Sequence, residues 1–215
     1  MTASAQLVDV TAHVTVTHPH KSQADSSDVV LWLTPLTSEA PAPRHQAEFT
    51  LAQKDKEFIP HLLVVPVGSS IAFPNLDPFF HNVFSLFNGK RFDLGLYEGH
   101  TSRSVRFDRE GVSYIFCNIH PDMGAVIVSL STPYFAQSTS AGQISIHGVP
   151  AGKYRLNVWA ENIPTASLNA LTRIIDISPT NNVLPPLHLE ASGDLMTHHS
   201  NKFGEPYKPL PNDTY

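Results

Sequence analysis

Three side chains that bind soft metal ions follow one another in one short segment: Cys117, His120 and Met123. The Cys-x2-His-x2-Met spacing brings a thiolate, an imidazole and a thioether together directly after a stretch with strand character. Sulfur ligands favour Cu(I), and imidazole binds copper in both oxidation states, so this set of ligands suits copper. Cys117 is the only cysteine of the chain, which excludes internal disulfides and metal sites built from several cysteines.

A blue-copper site combines two histidines and one cysteine with a weak axial methionine, so one further histidine is required. His81 is the best candidate, because it heads a predicted strand that follows the turn at Asn75–Pro78. His61 and His100 are possible substitutes, although each is expected in a solvated turn or at a strand start. The sequence therefore predicts a copper site whose ligands are His81, Cys117, His120 and Met123.

Each of these residues also has an ordinary structural interpretation. A lone cysteine is usually a buried, inert thiol, and a lone methionine usually fills a core. Because Cys117, His120 and Met123 occur together at this spacing, a metal site is favoured over an inert thiol and a core methionine. His18 and His20 form a His-x-His pair that could bind a second metal, but multicopper sites need several such pairs, so a solvated turn is favoured.

Charge and composition exclude several classes of protein. The chain has 215 residues, with 14 Lys and Arg against 19 Asp and Glu, so its net charge is −5. This balance gives no reason to expect nucleic-acid binding. No apolar run approaches the roughly 20 residues of a membrane-spanning helix. The N-terminus lacks the pattern of a signal peptide, so either the protein is cytosolic or Met1 replaces an export signal.

Many short strands separated by Pro, Gly and Asn turns predict an all-β protein made of two sandwiches. Residues 165–172 could form either a short helix or a strand. The segment from Gly193 onward is polar and proline-rich and is expected to lie on the surface. The predicted strands are 8–16, 29–33, 48–51, 62–67, 70–73, 82–87, 102–107, 113–117, 125–129, 143–147, 154–159, 171–177 and 187–189.

The strand before Cys117 is apolar on both faces. Tyr114 and Phe116 lie on one face, and Ile115 and Cys117 lie on the other. An exposed antiparallel strand would alternate with polar residues, so we expect this strand to be covered on both sides. A group of nearby aromatic residues is also expected in the core: Phe79, Phe80, Phe84 and Phe87.

Two segments resemble the cupredoxin family of blue copper proteins: FPNLDPFFHNVFS (73–85) and GVSYIFCNIHPDM (111–123). The short ligand loop is similar to that of amicyanins. The wider stretch 45–162 resembles bacterial methylamine-utilisation-like proteins that carry a cupredoxin region beside a carboxypeptidase-regulatory-like β-sandwich. Some members have Pro-Trp between the ligand His and Met, whereas this chain has Pro121-Asp122, a departure that leaves the ligands intact.

The resemblance implies a domain organisation. Residues 45–135 would form a cupredoxin Greek-key β-sandwich. Residues 1–40 and 138–192 would together form an immunoglobulin- or transthyretin-like sandwich of the regulatory type. Residues 193–215 would form an extended tail.

The resemblance also implies a function. One copper ion per chain would pass single electrons between redox partners, without enzymatic activity, and a partner protein would dock near His120. The Asn82 N–H would donate to the Cys117 sulfur, and the Asn82 side chain would tie the two ligand loops together. Cupredoxins typically work outside the cytoplasm, so a periplasmic location is expected. The alternatives are a protein for copper buffering, delivery or sensing, an interaction module whose metal site has decayed, and a copper enzyme, for which no second metal site is visible.

Overall fold

The computed structural model describes residues 6–19, 25–37, 48–86, 89–192 and 201–207. Within these residues the fold is all-β, as predicted, apart from one short helix, α1 (Thr165–Leu171). The strands, in chain order, are β1 Leu7–Thr17, β2 Val30–Pro35, β3 Phe49–Thr50, β4 Ala52–Lys54, β5 Glu57–Ile59, β6 Leu62–Pro66, β7 Ser69–Pro74, β8 His81–Ser85, β9 Phe92–Tyr97, β10 Ser102–Phe107, β11 Gly111–Phe116, β12 Gly124–Leu130, β13 Phe135–Gln137, β14 Gln143–Pro150, β15 Gly152–Trp159, β16 Arg173–Ile177 and β17 Leu187–Glu190.

The chain divides into two compact units. One comprises residues 1–43 and 132–195, and the other comprises residues 44–131 and 196–215. We call them the discontinuous unit and the central unit. The described C-terminal residues, 201–207, therefore group with the central unit rather than with the strands that precede them.

The discontinuous unit has two sheets, ordered β14-β1-β17 and β13-β2-β15-β16, around one apolar core. Strand β1 shows how the sequence specifies this arrangement. Its residues Val10, Ala12, Val14 and Val16 are buried, and the residues between them point away from the core. This alternation of period two is typical of a strand with one face on the core, and β1 pairs antiparallel with β14 and parallel with β17.

The central unit has a five-stranded sheet, β6-β12-β11-β8-β9, and a three-stranded sheet, β10-β7-β3, with the hairpin β4-β5 beside them. Its core includes large apolar side chains such as Phe73, Phe107 and Ile115. Cys117 and Met123 belong to the same core cluster. The predicted metal ligands thus lie at one end of a packed apolar core.

Strand β11 is covered on both faces, as predicted. Ile115 and Phe116 are buried and Tyr114 is half-buried. The expectation for the neighbouring aromatic residues holds only in part: Phe84 is buried, but Phe80 is 55% exposed because it lies in the turn before β8. Phe87 lies outside the described residues.

Several short elements go beyond the sequence-based expectations. Residues 165–171 form α1, which settles the open choice between helix and strand at this position. Strands β4, β5, β9 and β13 have no counterpart among the predicted strands. None of the helices in the described part of the chain has the length and apolar character needed to cross a membrane.

Candidate metal centre

Three of the predicted ligands form one cluster. The ligand atoms of His81, Cys117 and His120 all lie within 4.8 Å of one another. The Cys117 Sγ is 3.8 Å from the His81 Nδ1 and 3.5 Å from the His120 Nδ1. His81 and Cys117 are fully buried, whereas His120 is half-buried.

Strand pairing brings these residues to one end of the five-stranded sheet. Cys117 follows β11 directly, and Met123 precedes β12 directly, so the loop between them joins two antiparallel neighbours. On the other side of β11, Phe116 pairs with Phe84 of β8. Because this pairing is antiparallel, the start of β8 at His81 lies beside the residues that follow β11.

The distances within the cluster fit a bound metal ion. A first-row metal binds sulfur at about 2.3 Å and imidazole nitrogen at about 2.0–2.1 Å, which sets the two donor atoms about 3.6–3.8 Å apart. The two sulfur–nitrogen distances, 3.8 and 3.5 Å, agree with this separation. A buried thiol and two imidazoles are also the donor set that copper prefers.

The Cys117 sulfur lies among backbone N–H groups. Burial raises the pKa of the Cys117 thiol, and N–H groups of Asn82, Ile119 and His120 that point at the sulfur oppose this increase without cancelling it. The metal-free protein therefore holds a thiol at neutral pH. The three N–H groups would stabilise the thiolate that metal binding requires.

A buried carboxylate fixes the orientation of His81. The His81 Nε2 lies 2.7 Å from the Asp77 Oδ2, and Asp77 is only 4% exposed. The backbone N–H groups of Asp55 and Lys56 also donate to this carboxylate. Burial raises the pKa of Asp77, but the hydrogen bonds from His81 and from these N–H groups outweigh it, so the pKa is lowered overall.

An ionised Asp77 accepts the Nε2 proton of His81 and leaves the Nδ1 lone pair free to face Cys117. This tautomer is assigned from the hydrogen-bond network. A carboxylate behind a metal-binding histidine orients the ring and makes it a stronger ligand. Sequence reasoning missed this role, although an acidic residue four positions before the histidine was a visible signal.

Asn75 organises the turn that carries Asp77. Its side-chain amide donates to the Phe79 carbonyl at 2.7 Å, and its Oδ1 accepts the Asp77 N–H at 3.1 Å. Asn75 is fully buried. The turn between β7 and β8 is thus held from within, which fixes the position of the carboxylate that holds His81.

Met123 lies in the same loop, with its side chain 1% exposed. The Cys117 N–H donates to the Met123 carbonyl, and the Met123 N–H donates to the His120 carbonyl, each at 3.2 Å. These two bonds close the loop tightly around the ligands. The backbone of the loop therefore places Met123 next to the cluster.

The structure corrects the expected role of the Asn82 side chain. The Asn82 N–H is among the groups that lower the pKa of the Cys117 thiol. The side-chain amide, however, donates to the Asp93 Oδ1 of β9 at 2.8 Å, and Oδ1 of Asn82 has no partner among the described residues. Within the described residues, the Asn82 side chain therefore bonds to β9 and makes no hydrogen bond to the Cys117–Met123 loop.

The alternative histidines lie elsewhere. His61 and His100 are exposed, as expected, and neither joins the cluster. His18 is half-buried and belongs to no metal-binding group of the described residues. His20, its partner in the His-x-His pair, lies outside the described residues.

Residues 201–207 also reach the site, which the sequence did not reveal. The Tyr207 hydroxyl donates to the Cys117 carbonyl at 2.7 Å. The Lys202 N–H donates to the Asn118 Oδ1 at 2.9 Å. No spacing rule links residues so far apart in the chain, so only the fold brings them together.

No family model and no curated protein matches the chain. Among solved structures, it resembles the purple cupredoxin from Nitrosopumilus maritimus, with 23% identity over 40% of this chain and 100% of that chain, at a TM-score of 0.35. A reduced amicyanin variant is 19% identical over 46% of this chain and 99% of that chain, at a TM-score of 0.36.

A further resemblance is to the copper-containing nitrite reductase NirK from Thermus scotoductus SA-01. It is 19% identical over 54% of this chain and 28% of that chain, at a TM-score of 0.38. All three structures share less than 25% identity with the chain, and all three TM-scores are low.

Proposed function

We propose that the protein is a type 1 copper electron carrier of the cupredoxin type. The observation that carries this proposal is a fully buried thiol whose sulfur lies 3.5 and 3.8 Å from the nitrogens of two imidazoles. One copper ion would be held by two histidines, one thiolate and a weak thioether. The resemblance of the two ligand segments to cupredoxins supports the same conclusion.

Each ligand has a distinct role in this proposal. Cys117 provides the thiolate, His81 and His120 provide neutral imidazoles, and Met123 provides the axial ligand that tunes the reduction potential. The bound ion supplies the Cu(II)/Cu(I) couple. The chain's own part is to hold the ligands in place, keep water away from the sulfur and keep the His81 Nε2 protonated against Asp77.

A site whose ligands are held in position before the metal binds favours electron transfer over copper storage. The turn at Asn75, the carboxylate of Asp77 and the N–H groups at the Cys117 sulfur are arranged by the fold. Ligands fixed in this way move little when the charge of the bound ion changes. Small rearrangement is what a rapid one-electron carrier needs.

His120 is the proposed point of electron exit. It is half-buried, and its ring centroid lies 5.9 Å from that of Phe79. Leu76 and Phe80, in the same turn as Phe79, are 49% and 55% exposed. These apolar side chains would form part of the surface on which a redox partner docks.

The remaining assignments extend this proposal to the whole chain. Residues 45–135 would be the cupredoxin domain, and residues 1–40 with 138–192 would be the carboxypeptidase-regulatory-like sandwich of the methylamine-utilisation-like group. The protein would work in the periplasm after export. The alternative function is copper buffering, delivery or sensing, for which the half-buried His120 would allow copper to be handed over.

Electron paramagnetic resonance and voltammetry of the copper-loaded protein test the proposal. We expect one Cu(II) per chain with the narrow copper hyperfine splitting of a thiolate site, and a reversible Cu(II)/Cu(I) couple. His81→Ala and His120→Ala should each change the spectrum, whereas His13→Ala, at an exposed histidine of β1, should not. Tight copper binding without a reversible couple would favour the buffering or delivery function.

A further inference from the structure

Residues 201–207 contact the ligand-bearing part of the central unit at three points. The Tyr207 hydroxyl donates to the Cys117 carbonyl at 2.7 Å. The Lys202 N–H donates to the Asn118 Oδ1 at 2.9 Å, and the Lys202 ammonium donates to the Asp93 Oδ2 at 2.8 Å. Two of the three acceptors lie in the ligand loop itself.

The segment has a defined local structure. The Asn201 Oδ1 accepts the N–H groups of Phe203 and Glu205, and the Asn201 N–H donates to the Glu205 carbonyl. Gly204, at φ 79°, adopts the left-handed conformation that this turn requires. This closed turn presents Lys202 to the ligand loop in one orientation. Tyr207 lies two residues beyond the end of the turn at Glu205.

Lys202 links the two ligand-bearing segments. The side chain of Asn82, next to His81, donates to one oxygen of Asp93, and Lys202 donates to the other. Through its own N–H, Lys202 also holds Asn118, which is next to Cys117. The resemblance implied that Asn82 alone connects the two segments, but the connection runs through Asp93 and Lys202.

Tyr207 acts on the metal ligand residue itself. Its hydrogen bond fixes the peptide plane that follows Cys117, from which the chain continues to Ile119 and His120. The N–H groups of those two residues point at the Cys117 sulfur. A change in this peptide plane would move the loop. The loop determines both the direction of these N–H groups and the position of His120.

We propose that residues 201–207 are a strap that positions the metal-ligand loop, with Tyr207 and Lys202 as its positioning residues. This inference rests on the proposed copper site. The strap holds Cys117 and His120 in the geometry for binding, so copper stays bound longer and the loop moves less. Neither Tyr207 nor Lys202 is itself a ligand.

Tyr207→Phe removes one hydroxyl and tests the strap directly. In the full-length, metal-free variant, we expect the Ile119 and His120 amides to exchange hydrogen roughly 2- to 12-fold faster, as for the loss of one hydrogen bond. In the copper-loaded variant, release of copper to a chelator should accelerate by a similar factor, and the thiolate absorption band should shift. The matched control is Tyr154→Phe, which removes a hydroxyl that donates to the Pro150 carbonyl in the discontinuous unit.

Lys202 provides a second, independent test. Lys202→Met should accelerate both amide exchange and copper release, and Lys202→Arg, which keeps a cationic donor for Asp93, should restore both. If Tyr207→Phe does not fold, as judged by circular dichroism, this pair decides the question. If the wild-type protein binds no copper, the proposed function fails, while amide exchange in the metal-free protein still tests the strap.

Two results would overturn the inference. One is unchanged amide exchange and copper release in Tyr207→Phe and Lys202→Met. The other is faster exchange with unchanged copper release and an unchanged absorption band, because the strap would then be a structural contact without influence on the metal centre.

Discussion

The two segments that carry the ligands are held in different ways. The turn segment, residues 75–83, positions His81 through buried side chains: Asn75 closes the turn and Asp77 binds the imidazole. The loop segment, residues 117–123, is closed by backbone hydrogen bonds between Cys117, His120 and Met123. Its further anchors, Tyr207 and Lys202, come from the far end of the chain.

This difference indicates that the turn segment and the loop segment have different roles within one site. The buried polar network of the turn segment leaves its histidine little freedom, because each of these polar groups would be costly to leave unpaired. The loop segment depends on main-chain contacts and carries the half-buried His120. In the proposed copper centre, the turn segment would therefore supply the rigid side, and the loop segment would supply the side from which an electron or a metal ion could pass.

Asp77→Ala should have the largest effect, because it leaves the His81 Nε2 proton and two backbone N–H groups without their acceptor. We expect the free energy of unfolding to fall by about 3 kcal/mol. Copper affinity should fall by about 10- to 100-fold. Urea denaturation and competition with a chelator measure the two effects.

The matched control for Asp77 is Asp108→Ala, which removes an exposed carboxylate paired with Lys90. It should leave copper affinity unchanged. If Asp77→Ala has no more effect than this control, the two segments are held alike and the comparison fails.

The contribution of Asp77 to stability should depend on pH. Because its pKa is lowered in the folded protein, this contribution is complete above the unfolded pKa of about 3.9 and is lost as pH falls through the folded pKa. The difference in unfolding free energy between wild type and Asp77→Ala should therefore shrink below about pH 4. A difference that grew on acidification would contradict the assignment of an ionised Asp77.

The next effect concerns the proton that copper binding releases. Cys117 is a thiol in the metal-free protein, because burial raises its pKa. Binding as a thiolate releases one proton, so copper affinity should rise with pH, by about tenfold per pH unit from this proton while Cys117 stays a thiol in the metal-free protein. Calorimetry in buffers of different ionisation enthalpy measures this proton, and Cys117→Ser should not release it.

A smaller change in stability is expected for Met123→Leu. This substitution nearly conserves volume in the core and should cost less than about 1.5 kcal/mol in unfolding free energy. The reduction potential of the copper-loaded protein should nevertheless change, because the proposed axial ligand is lost. The control is Ile127→Leu in β12, also fully buried, which should leave the potential unaltered; equal potentials in both variants would argue against ligation by Met123.

The smallest effect on stability is expected for Phe80→Ser. Phe80 is 55% exposed, so the free energy of unfolding should change by no more than about 0.5 kcal/mol. Electron exchange with a redox partner should slow, because the apolar surface near His120 is reduced. Stopped-flow reduction by a small inorganic complex is the control reaction, and its rate should not change.

The sequence predicted the all-β fold and the cluster of His81, Cys117 and His120, because each rests on local signals. Strand alternation is a property of a few neighbouring residues, and the loop spacing confines two ligands to one hairpin. His81 could be inferred from its place at a strand start. Ligation by Met123 and the boundaries of the two domains stay predictions.

Other features escaped the sequence because their causes are not local. Strand β9 contains Gly95 at φ 66°, and its pairing with β8 shifts register between Asn82 and Phe84. A glycine inside a strand and an irregular pairing both weaken the alternating pattern by which a strand is predicted. The bond between Asp77 and His81 depends on the shape of the turn built by Asn75. The contacts of Tyr207 depend on the whole path of the chain, which no spacing within the sequence encodes.

The most direct test of the copper centre is the visible absorption spectrum during addition of Cu(II) to wild type and to Cys117→Ser. We predict an intense band at roughly 600 nm that saturates at one copper per chain, because a thiolate bound to copper absorbs there. The band should be absent in Cys117→Ser. A wild-type protein that stays colourless, or a band that survives the loss of Cys117, would contradict the assignment of a His81–Cys117–His120 copper centre.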